Sequence, residues 1–322
     1  MVRDTSPRSR ELLVKAARMY FLDGRSQDDI ARVLETSRSN VSRMLGVARM
    51  LGIVEIRIQD ERGRDADLEE ALAQQFDLTH VRVAAFRPQE DVVAATSALA
   101  AEWLDDTLRD GQILALSWGT AVQAVVAAVA VDEPRMVEVV PLVGGLATRT
   151  PLAACQELVR DLAARLGTAT YRYLYSPALL HSEAARDALL AEPSIGHTMA
   201  RARSADIALV GVGTFGTGSS SEVVAGLGLT KSQRDAFSSQ KPVGDTCCRF
   251  FDAEGRAIRG AVHDRVLAVD LDDLRRIPTV MGVATGPDKT AGVLAALRGG
   301  LVDGLIIDAG LAHSILTADG VL

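Results

Sequence analysis

Residues 27–46, QDDIARVLETSRSNVSRMLG, constrain this chain more than any other stretch. Two short amphipathic segments meet there across a tight turn. In the first, Gln27 to Leu34, Ile30 and Leu34 share one face with Ala31 beside them. In the second, which starts near Ser37, Val41, Met44, Leu45 and Ala48 recur at the i, i+3/i+4, i+7 spacing of a helix. Glu35 and Thr36 lie between the two, and the Ser37 hydroxyl is placed to cap the second helix. Ala31 is small, as two steeply crossing helices require at their closest approach. The pattern predicts a helix-turn-helix whose second helix enters a DNA major groove. Glu35 stands at the turn position that often holds glycine in such motifs, so a different backbone geometry is expected there.

The outward face of the second helix fits that task. Arg38 and Ser42 are i, i+4 neighbours, as are Ser39 and Arg43, and Asn40 projects between them. Arg pairs bidentately with guanine, Asn with adenine, and Ser or Arg contacts phosphate. The candidate DNA contacts are therefore Ser37, Arg38, Ser39, Asn40, Ser42 and Arg43. The competing reading is a solvated face on an ordinary helical subdomain.

The flanks complete a small domain over residues 1–58. Residues 8–22 place Leu12, Leu13, Ala16, Met19 and Tyr20 at helical spacing, and Gly24 ends that helix. Ser26 caps the next helix, with Asp28 and Asp29 in the first turn, where the helix dipole favours them. After Gly52, Val54, Ile56 and Ile58 alternate with Glu55 and Arg57, the pattern of a half-buried strand and the start of a wing. Arg57 could reach a phosphate from it, or simply be solvated.

Charge divides the chain in the same place. Residues 1–57 hold eleven Lys and Arg against seven Asp and Glu, a net +4; the remainder holds 24 against 35, a net −11. A basic head on an acidic body fits a DNA-binding module joined to something that does not touch DNA. A surplus of +4 is modest, so affinity depends on geometry and on several heads per complex, as in dimers reading repeated half-sites.

At 322 residues, two domains are the natural expectation. No apolar run approaches the roughly 20 residues of a membrane span, and the N-terminus lacks the apolar core of a signal peptide. A cytoplasmic protein is expected. Cys155, Cys247 and Cys248 show no zinc spacing and read as core thiols, with Cys247 and Cys248 pointing apart on a strand.

Residues 59–66, QDERGRDA, form a charged break. Residues 59–78 read as a linker helix in which Leu68, Leu72 and Phe76 make one apolar stripe. From residue 79 to 322, short apolar runs alternate with helical patterns. The runs are His80–Ala85, Ile113–Ser117, Val137–Val143, Ile207–Gly211, Val266–Val269, Val280–Ala284 and Leu305–Ile307; the helical patterns lie at 93–108, 119–131, 152–166, 194–203, 221–226, 287–298 and 309–316. Continuous rather than alternating apolar strands predict a sheet buried on both faces, in a doubly wound, Rossmann-like α/β domain. Such sheets bind ligands at the carboxyl ends of their strands.

Small polar clusters sit at those ends. Ser117-Trp118-Gly119-Thr120 follows a strand and opens a helix; Gly144-Gly145 and Gly211-Val212-Gly213-Thr214 end two others; Thr285-Gly286-Pro287-Asp288-Lys289-Thr290 ends a fourth. Gly-rich strand ends at helix N-termini are ready anion sites, although each alone also reads as a tight βα turn. Lys289 is a cation in a first helical turn, which is unfavourable without an anion beside it. Together they predict a phosphate or polyol site.

At this point the chain resembles the SorC/DeoR-type family of bacterial sugar-binding transcription regulators. SRSNVSRMLGVARMLGIVEIRI is similar to that family's recognition helix and the segment after it. The body carries ILALSWGTA, VVPLVGGLA, YLYSPALL, ADIALVGVGTFG, VGDTCCRFFDAEG and GVATGPDKTAGVLAALRGGLVDGLIIDAGLA in the family's order. The resemblance implies an effector-binding domain related to sugar-phosphate isomerase and deaminase folds, and an oligomer, dimer or tetramer. It implies phosphate against Gly119, Thr120 and Lys289, and sugar hydroxyls at Gly144, Gly145, Gly211, Asp245 and Asp308. With Ser117 and Gly213 these are the candidate effector residues. The family often has Thr where Ala121 stands and Glu where Ala309 stands. Its members that bind bisphosphates can have Arg where this chain has Val143, which disfavours a doubly phosphorylated effector.

The expectation is a regulator, most simply a repressor, of a carbohydrate or polyol operon, with operator DNA and a small sugar, sugar phosphate or polyol as partners. No catalytic residue, metal or cofactor is expected. The alternative is a sugar-phosphate isomerase-like enzyme with an accessory DNA module, which needs a positioned base. Asp245, Asp308, His263 and His313 are the candidates, but none belongs to a His–Asp–Ser pattern or a carboxylate pair. A bare interaction protein is the third reading, and Lys289 with its glycines argues against it.

Overall fold

The structure is a computed structural model that describes residues 7–54, 63–85, 91–146, 155–168 and 170–321. The chain divides into two compact units, Met1–Ile58 and Gln59–Leu322.

The first unit is three helices, Pro7–Phe21 (α1), Gln27–Val33 (α2) and Arg38–Met50 (α3). Their apolar faces meet in one core of Leu13, Ala16, Met19, Ile30, Ala31, Val41, Leu45 and Ala48. The ends of the helices are set by local chemistry. Ser26 accepts from the Asp29 N–H and Ser37 from the Asn40 N–H, both at 3.2 Å, satisfying first-turn amides of α2 and α3. Between α2 and α3 the Thr36 N–H returns to the Ala31 carbonyl at 2.9 Å and the Glu35 N–H to Arg32 at 3.4 Å. This is a Schellman closure. Glu35 itself takes the left-handed conformation, φ +50°. The turn therefore keeps the backbone that glycine usually supplies, and the strain falls on a glutamate. Ile53 and Val54 pack half-buried against the same core. The wing expected over 55–58, Arg57 with it, and residues 59–62 of the charged break lie outside the described residues.

The second unit is built on a six-stranded sheet of His80–Ala84 (β1), Ile113–Leu116 (β2), Glu138–Pro141 (β3), Ile207–Gly211 (β4), Thr279–Val283 (β8) and Gly304–Asp308 (β9). Its order is β1-β9-β8-β4-β2-β3 and every pairing is parallel. Successive residues of a strand enter different cores. Ala115, Val210 and Ile307 go to one layer; Leu116, Leu209 and Ile306 go to the other. Burial on both faces is why these strands are continuous apolar runs.

Helices Ala66–Phe76 (α4), Pro193–Arg203 (α9), Thr290–Arg298 (α13) and Ala309–Ala318 (α14) cover the first layer, while Val92–Thr107 (α5), Thr120–Ala128 (α6) and Cys155–Arg165 (α7) cover the second. α4 is anchored in the body, with Leu68 and Leu72 buried against β1 and α14. Each such side chain contributes roughly 1.5–3 kcal/mol.

Four features depart from the sequence expectation. Val266–Val269 is fully buried but makes only isolated bridges, Leu179 to Val266 and Val143 to Ala268, and joins no sheet. A second, antiparallel sheet of Gly213–Thr214 (β5), Gly244–Thr246 (β6) and Arg249–Phe251 (β7) arises from segments too short to show a period. Helices Glu183–Ala191 (α8), Gly218–Gly226 (α10), Lys231–Ser239 (α11) and Leu271–Leu274 (α12) lie among the body's connections. Of these, only α10 overlaps an expected helix. Helix 287–298 opens as a 3-10 turn over Pro287–Lys289 before α13 begins. No helix among the described residues is long and apolar enough to cross a membrane.

The chain passes from β2 outward to β3 and then returns to the other side of β2 as β4. The order reverses there, and a crevice opens at the carboxyl ends of the strands.

Candidate functional site

A cavity of about 140 Å³ lies at that reversal, among the ends of β2, β4 and β8. It is well below the roughly 300–1,000 Å³ of a drug-sized pocket and on the scale of a monosaccharide. Gly119, Thr120, Gly211, Gly213, Asp245 and Lys289 all line it. Residues spread over 171 positions of sequence therefore converge because parallel strands end side by side.

Each element delivers a distinct chemistry. Gly119 precedes α6 at φ +130°, a conformation open to glycine and strained for other residues. It has no side chain to cap the helix, so the first-turn amides at Thr120 and Ala121 lie at the cavity without a side-chain cap. Lys289 enters from the 3-10 turn. Its Nζ lies 2.9 Å from the Asp288 carboxylate and 3.4 Å from the Thr217 hydroxyl. The anion that a cation at this position requires is thus present within the chain, and a bound phosphate would compete with Asp288 for it.

Asp245 is half-buried on β6 and accepts from the Ser220 hydroxyl. Burial pushes its carboxyl up to about 6, against the opposing pull of Ser220 and Lys289. Gly213 faces this pair from β5, and a Cβ there would lie 2.4 Å from Asp245 Oδ1 and 2.6 Å from Ser220 Oγ. Gly292 of α13 packs on the Gly213 carbonyl, where a Cβ would approach to 2.2 Å.

Four expected effector residues lie elsewhere. Ser117 is buried; its Oγ accepts from the Gly211 N–H at 3.1 Å and ties the end of β2 to β4. Gly144 and Gly145 seat the 176–178 segment: Gly145 exchanges backbone hydrogen bonds with Ser176 and Ala178, and a Cβ on Gly144 would lie 2.7 Å from the Pro177 and Ala178 backbone. Asp308 caps α14 through the Leu311 N–H at 3.0 Å and holds the Gly286 N–H at 2.6 Å. None of the four lines the cavity.

Thr217 and Ser220 line it without having been singled out from sequence, and Trp118 and Thr285, members of the polar clusters at the strand ends, line it without being among the candidate effector residues. The Gly-Ser-Ser-Ser run at 218–221, a polar stretch two strands' length after β4, was the available signal for Ser220. Cys247 and Cys248 also line the wall. They do not point apart on a strand. They form the two-residue turn between β6 and β7, both in the left-handed region at φ +50° and +60°. That turn ordinarily takes Asn-Gly. Both are buried, and burial pushes the Cys247 thiol up to about 12. The Cys155 side chain lies outside the described residues.

Neither His263 nor His313 lines the cavity. His263 packs beside Arg249, Arg259 and Asp270, and burial with the Arg249 charge lowers it to about 4. Among the described residues no group of three or more His, Cys, Asp or Glu is placed to hold a metal ion.

On α3, Arg38, Ser39, Ser42 and Arg43 are exposed. Asn40 does not project freely. It is half-buried, its amide donates to Thr36 Oγ1 at 2.7 Å, and its carbonyl oxygen accepts from Arg43 at 2.6 Å. Ser37 is engaged as the helix cap, and its Oγ lies 3.1 Å from Ser39 Oγ.

Residues 60–317 match the family model described as "Putative sugar-binding domain". The deoxyribonucleoside regulator of Bacillus subtilis is 31% identical over 310 residues, 95% of this chain and 97% of that one. The chain belongs to the SorC/DeoR-type family of sugar-binding transcription regulators. The sorbitol operon regulator of Klebsiella pneumoniae is 29% identical over 309 residues, covering 95% and 97% of the two chains. The crystal structure of that full-length regulator superposes with a TM-score of 0.71 at 29% identity over 97% of this chain and all of that one. These SorC/DeoR-type relatives carry the names of regulators rather than enzymes. The matched domain contains the whole cavity.

Proposed function

We propose that this protein is a DNA-binding transcriptional repressor of a carbohydrate catabolic operon, released or engaged by a small sugar, most naturally a sugar monophosphate. The observation that carries the effector reading is the convergence of one cation, an uncapped helix N-terminus and a hydroxyl-holding carboxylate on one monosaccharide-sized cavity. Phosphate would sit between Lys289 and the Gly119–Thr120 amides, replacing Asp288 as the partner of Nζ. Sugar hydroxyls would donate to Asp245 beside Ser220. A cavity whose described lining holds one lysine and no arginine suits one phosphate better than two.

Residues 1–58 would be the DNA-binding domain, a helix-turn-helix with α3 in the major groove. Ser37, Arg38, Ser39, Asn40, Ser42 and Arg43 would face the DNA, and 59–78, whose α4 is anchored in the effector domain, would connect that domain to the DNA-binding one. Arg38 and Arg43 are exposed and long enough to reach bases or phosphates, Arg43 by giving up its bond to Asn40 and Arg38 its ion pair with Asp28. Asn40 would read adenine only by giving up its bonds to Thr36 and Arg43. A homo-oligomer would place two such helices on repeated half-sites. The effector acts only through its differential affinity for the oligomer's DNA-binding and non-binding arrangements.

An isomerase-like enzyme would have Asp245 as its base, with a carboxyl raised into a useful range. No histidine or second carboxylate joins it among the described lining residues.

The test is thermal unfolding against a panel of sugars, polyols and sugar monophosphates. Ligand at 100 times Kd stabilises by about 2.7 kcal/mol. A monophosphate that shifts the wild type and not Lys289→Ala supports the reading. Binding of a free polyol alone would remove phosphate from it, and steady turnover of a sugar phosphate would replace it with the enzyme.

A further inference from the structure

The main sheet has one edge at β1, and that edge is occupied by the described part of the charged break, residues 63–65. The Ala85 N–H donates to the Gly63 carbonyl and the Asp65 N–H to the Val83 carbonyl, both at 2.9 Å, so Arg64 lies opposite Ala84 as an antiparallel bridge. One carboxylate locks this short pairing. Glu69, buried on α4, accepts from the Val83 N–H at 2.9 Å and from Arg64 Nε at 2.8 Å, with Arg64 Nη2 closing a bidentate pair. Asp65 caps the same helix through the Leu68 N–H.

On its other side Ala84 is in register with Asp308 of β9. Asp308 holds the Gly286 N–H at 2.6 Å. Gly286 belongs to the loop whose neighbours Thr285 and Lys289 line the cavity. Arg64, Ala84 and Asp308 are thus three adjacent positions in a row. The row starts where the chain leaves for the N-terminal unit and ends at the loop that carries the cavity's cation. Buried charge-assisted bonds close it at both ends: Glu69 on Arg64, Asp308 on Gly286. Such groups tolerate little partial opening, because each carboxylate losing its donors would be left buried and unsatisfied.

We propose that the Glu69–Arg64 clamp and the Asp308–Gly286 clamp form one cooperative unit, so that the state of the Lys289 loop is felt at residues 63–69. Glu69 and Arg64 are then positioning residues for the regulatory response. This rests on the effector reading of the cavity only for the identity of the signal; the coupling itself is a property of the effector domain. Coupling between sites is reciprocal, so a perturbation at either clamp must loosen the other.

The experiment is amide-resolved hydrogen exchange on the full chain without ligand, for wild type, Glu69→Gln and Asp308→Asn. Glutamine keeps an acceptor for the Val83 N–H while removing the ion pair. The expected result is about tenfold faster exchange at Asp65 and Ala85 in Glu69→Gln, accompanied by a comparable increase at Gly286 and Leu311. Asp308→Asn gives the converse. The amides of Val139 and Arg172, at the opposite edge of the sheet, stay at wild-type rates in both. Loosening confined to the mutated clamp would overturn the proposal, as would an increase that reaches Val139 and Arg172, which would be global opening. Lys289-dependent stabilisation by sugar monophosphates, measured in the same variants, separates a failure of this coupling from a failure of the effector reading.

Discussion

Gly213 and Asp245 stand opposite each other across the β5–β6 ladder, and the carboxylate occupies the space a side chain on Gly213 would need. The glycine is there for Asp245 and Ser220, whose bond fills that space. Gly213→Ala should push the Asp245 carboxylate out of line and weaken sugar-monophosphate binding by about tenfold or more, equivalent to about 1.4 kcal/mol. Calorimetric titration checks it. Unchanged affinity would place the sugar away from Asp245.

Two half-buried groups give opposing pH trends in one window. Asp245 is raised from 3.8 to about 6, so the folded state holds its proton more tightly than the unfolded state. Its contribution is present at low pH and is lost as pH rises from about 4 to 6. His263 is lowered from 6.5 to about 4, so the unfolded state binds that proton more tightly. Its contribution runs the other way, with stability rising as pH rises from about 4 to 6.5. Asp245→Asn should therefore raise stability at pH 7, by up to about 3 kcal/mol, with the gain vanishing below about pH 4. Denaturant unfolding across pH 4–8 reads the difference between variant and wild type. A gain that grows on acidification would overturn this assignment.

Glu35 carries the left-handed turn between α2 and α3 without glycine's freedom. The left-handed conformation costs a side-chain-bearing residue about 1–2 kcal/mol, partly offset by the greater entropy glycine loses on folding. Glu35→Gly should stabilise the N-terminal unit by about 0.5–1 kcal/mol. A lower unfolding midpoint would mean that the Glu35 side chain contributes more than its backbone strain removes.

Arg38, Arg43 and Asn40 should separate into two classes. Arg38→Ala and Arg43→Ala should weaken binding to wild-type-selected duplex DNA, reduce its salt dependence and leave the melting temperature and sugar binding unchanged. Asn40→Ala should also cost about 1–2 kcal/mol of stability, because it removes the bond that ties α3 to Thr36. Equal stability in all three would mean the Asn40–Thr36 bond contributes nothing in solution.

Much of this protein was legible from local patterns. The helix periods of α1 to α3, the Ser26 and Ser37 caps and the six apolar runs of the main sheet are encoded within a few residues of one another. So is the pairing of strand end with helix start at Gly119–Thr120 and at Lys289. Helix and strand periods and helix caps follow from neighbouring side chains alone.

Other features depended on segments that meet only in the fold. Val266–Val269 has the composition of a strand, but the places beside β3 and β1 are taken by residues 170–172 and 63–65, so it packs as a buried connection. Gly144-Gly145 looks like a ligand turn and is instead a seat for Pro177 and Ala178. Asp308 looks like a hydroxyl acceptor and is spent on Gly286 and Leu311. Ser220 and Asp245 are 25 residues apart and become a pair only when β5 and β6 align. Sequence by itself determined which elements form and where charge and glycine lie along them. Tertiary structure decided which polar groups face the cavity and which are consumed in holding it, because a buried donor or acceptor takes whichever partner the packing brings within about 3 Å.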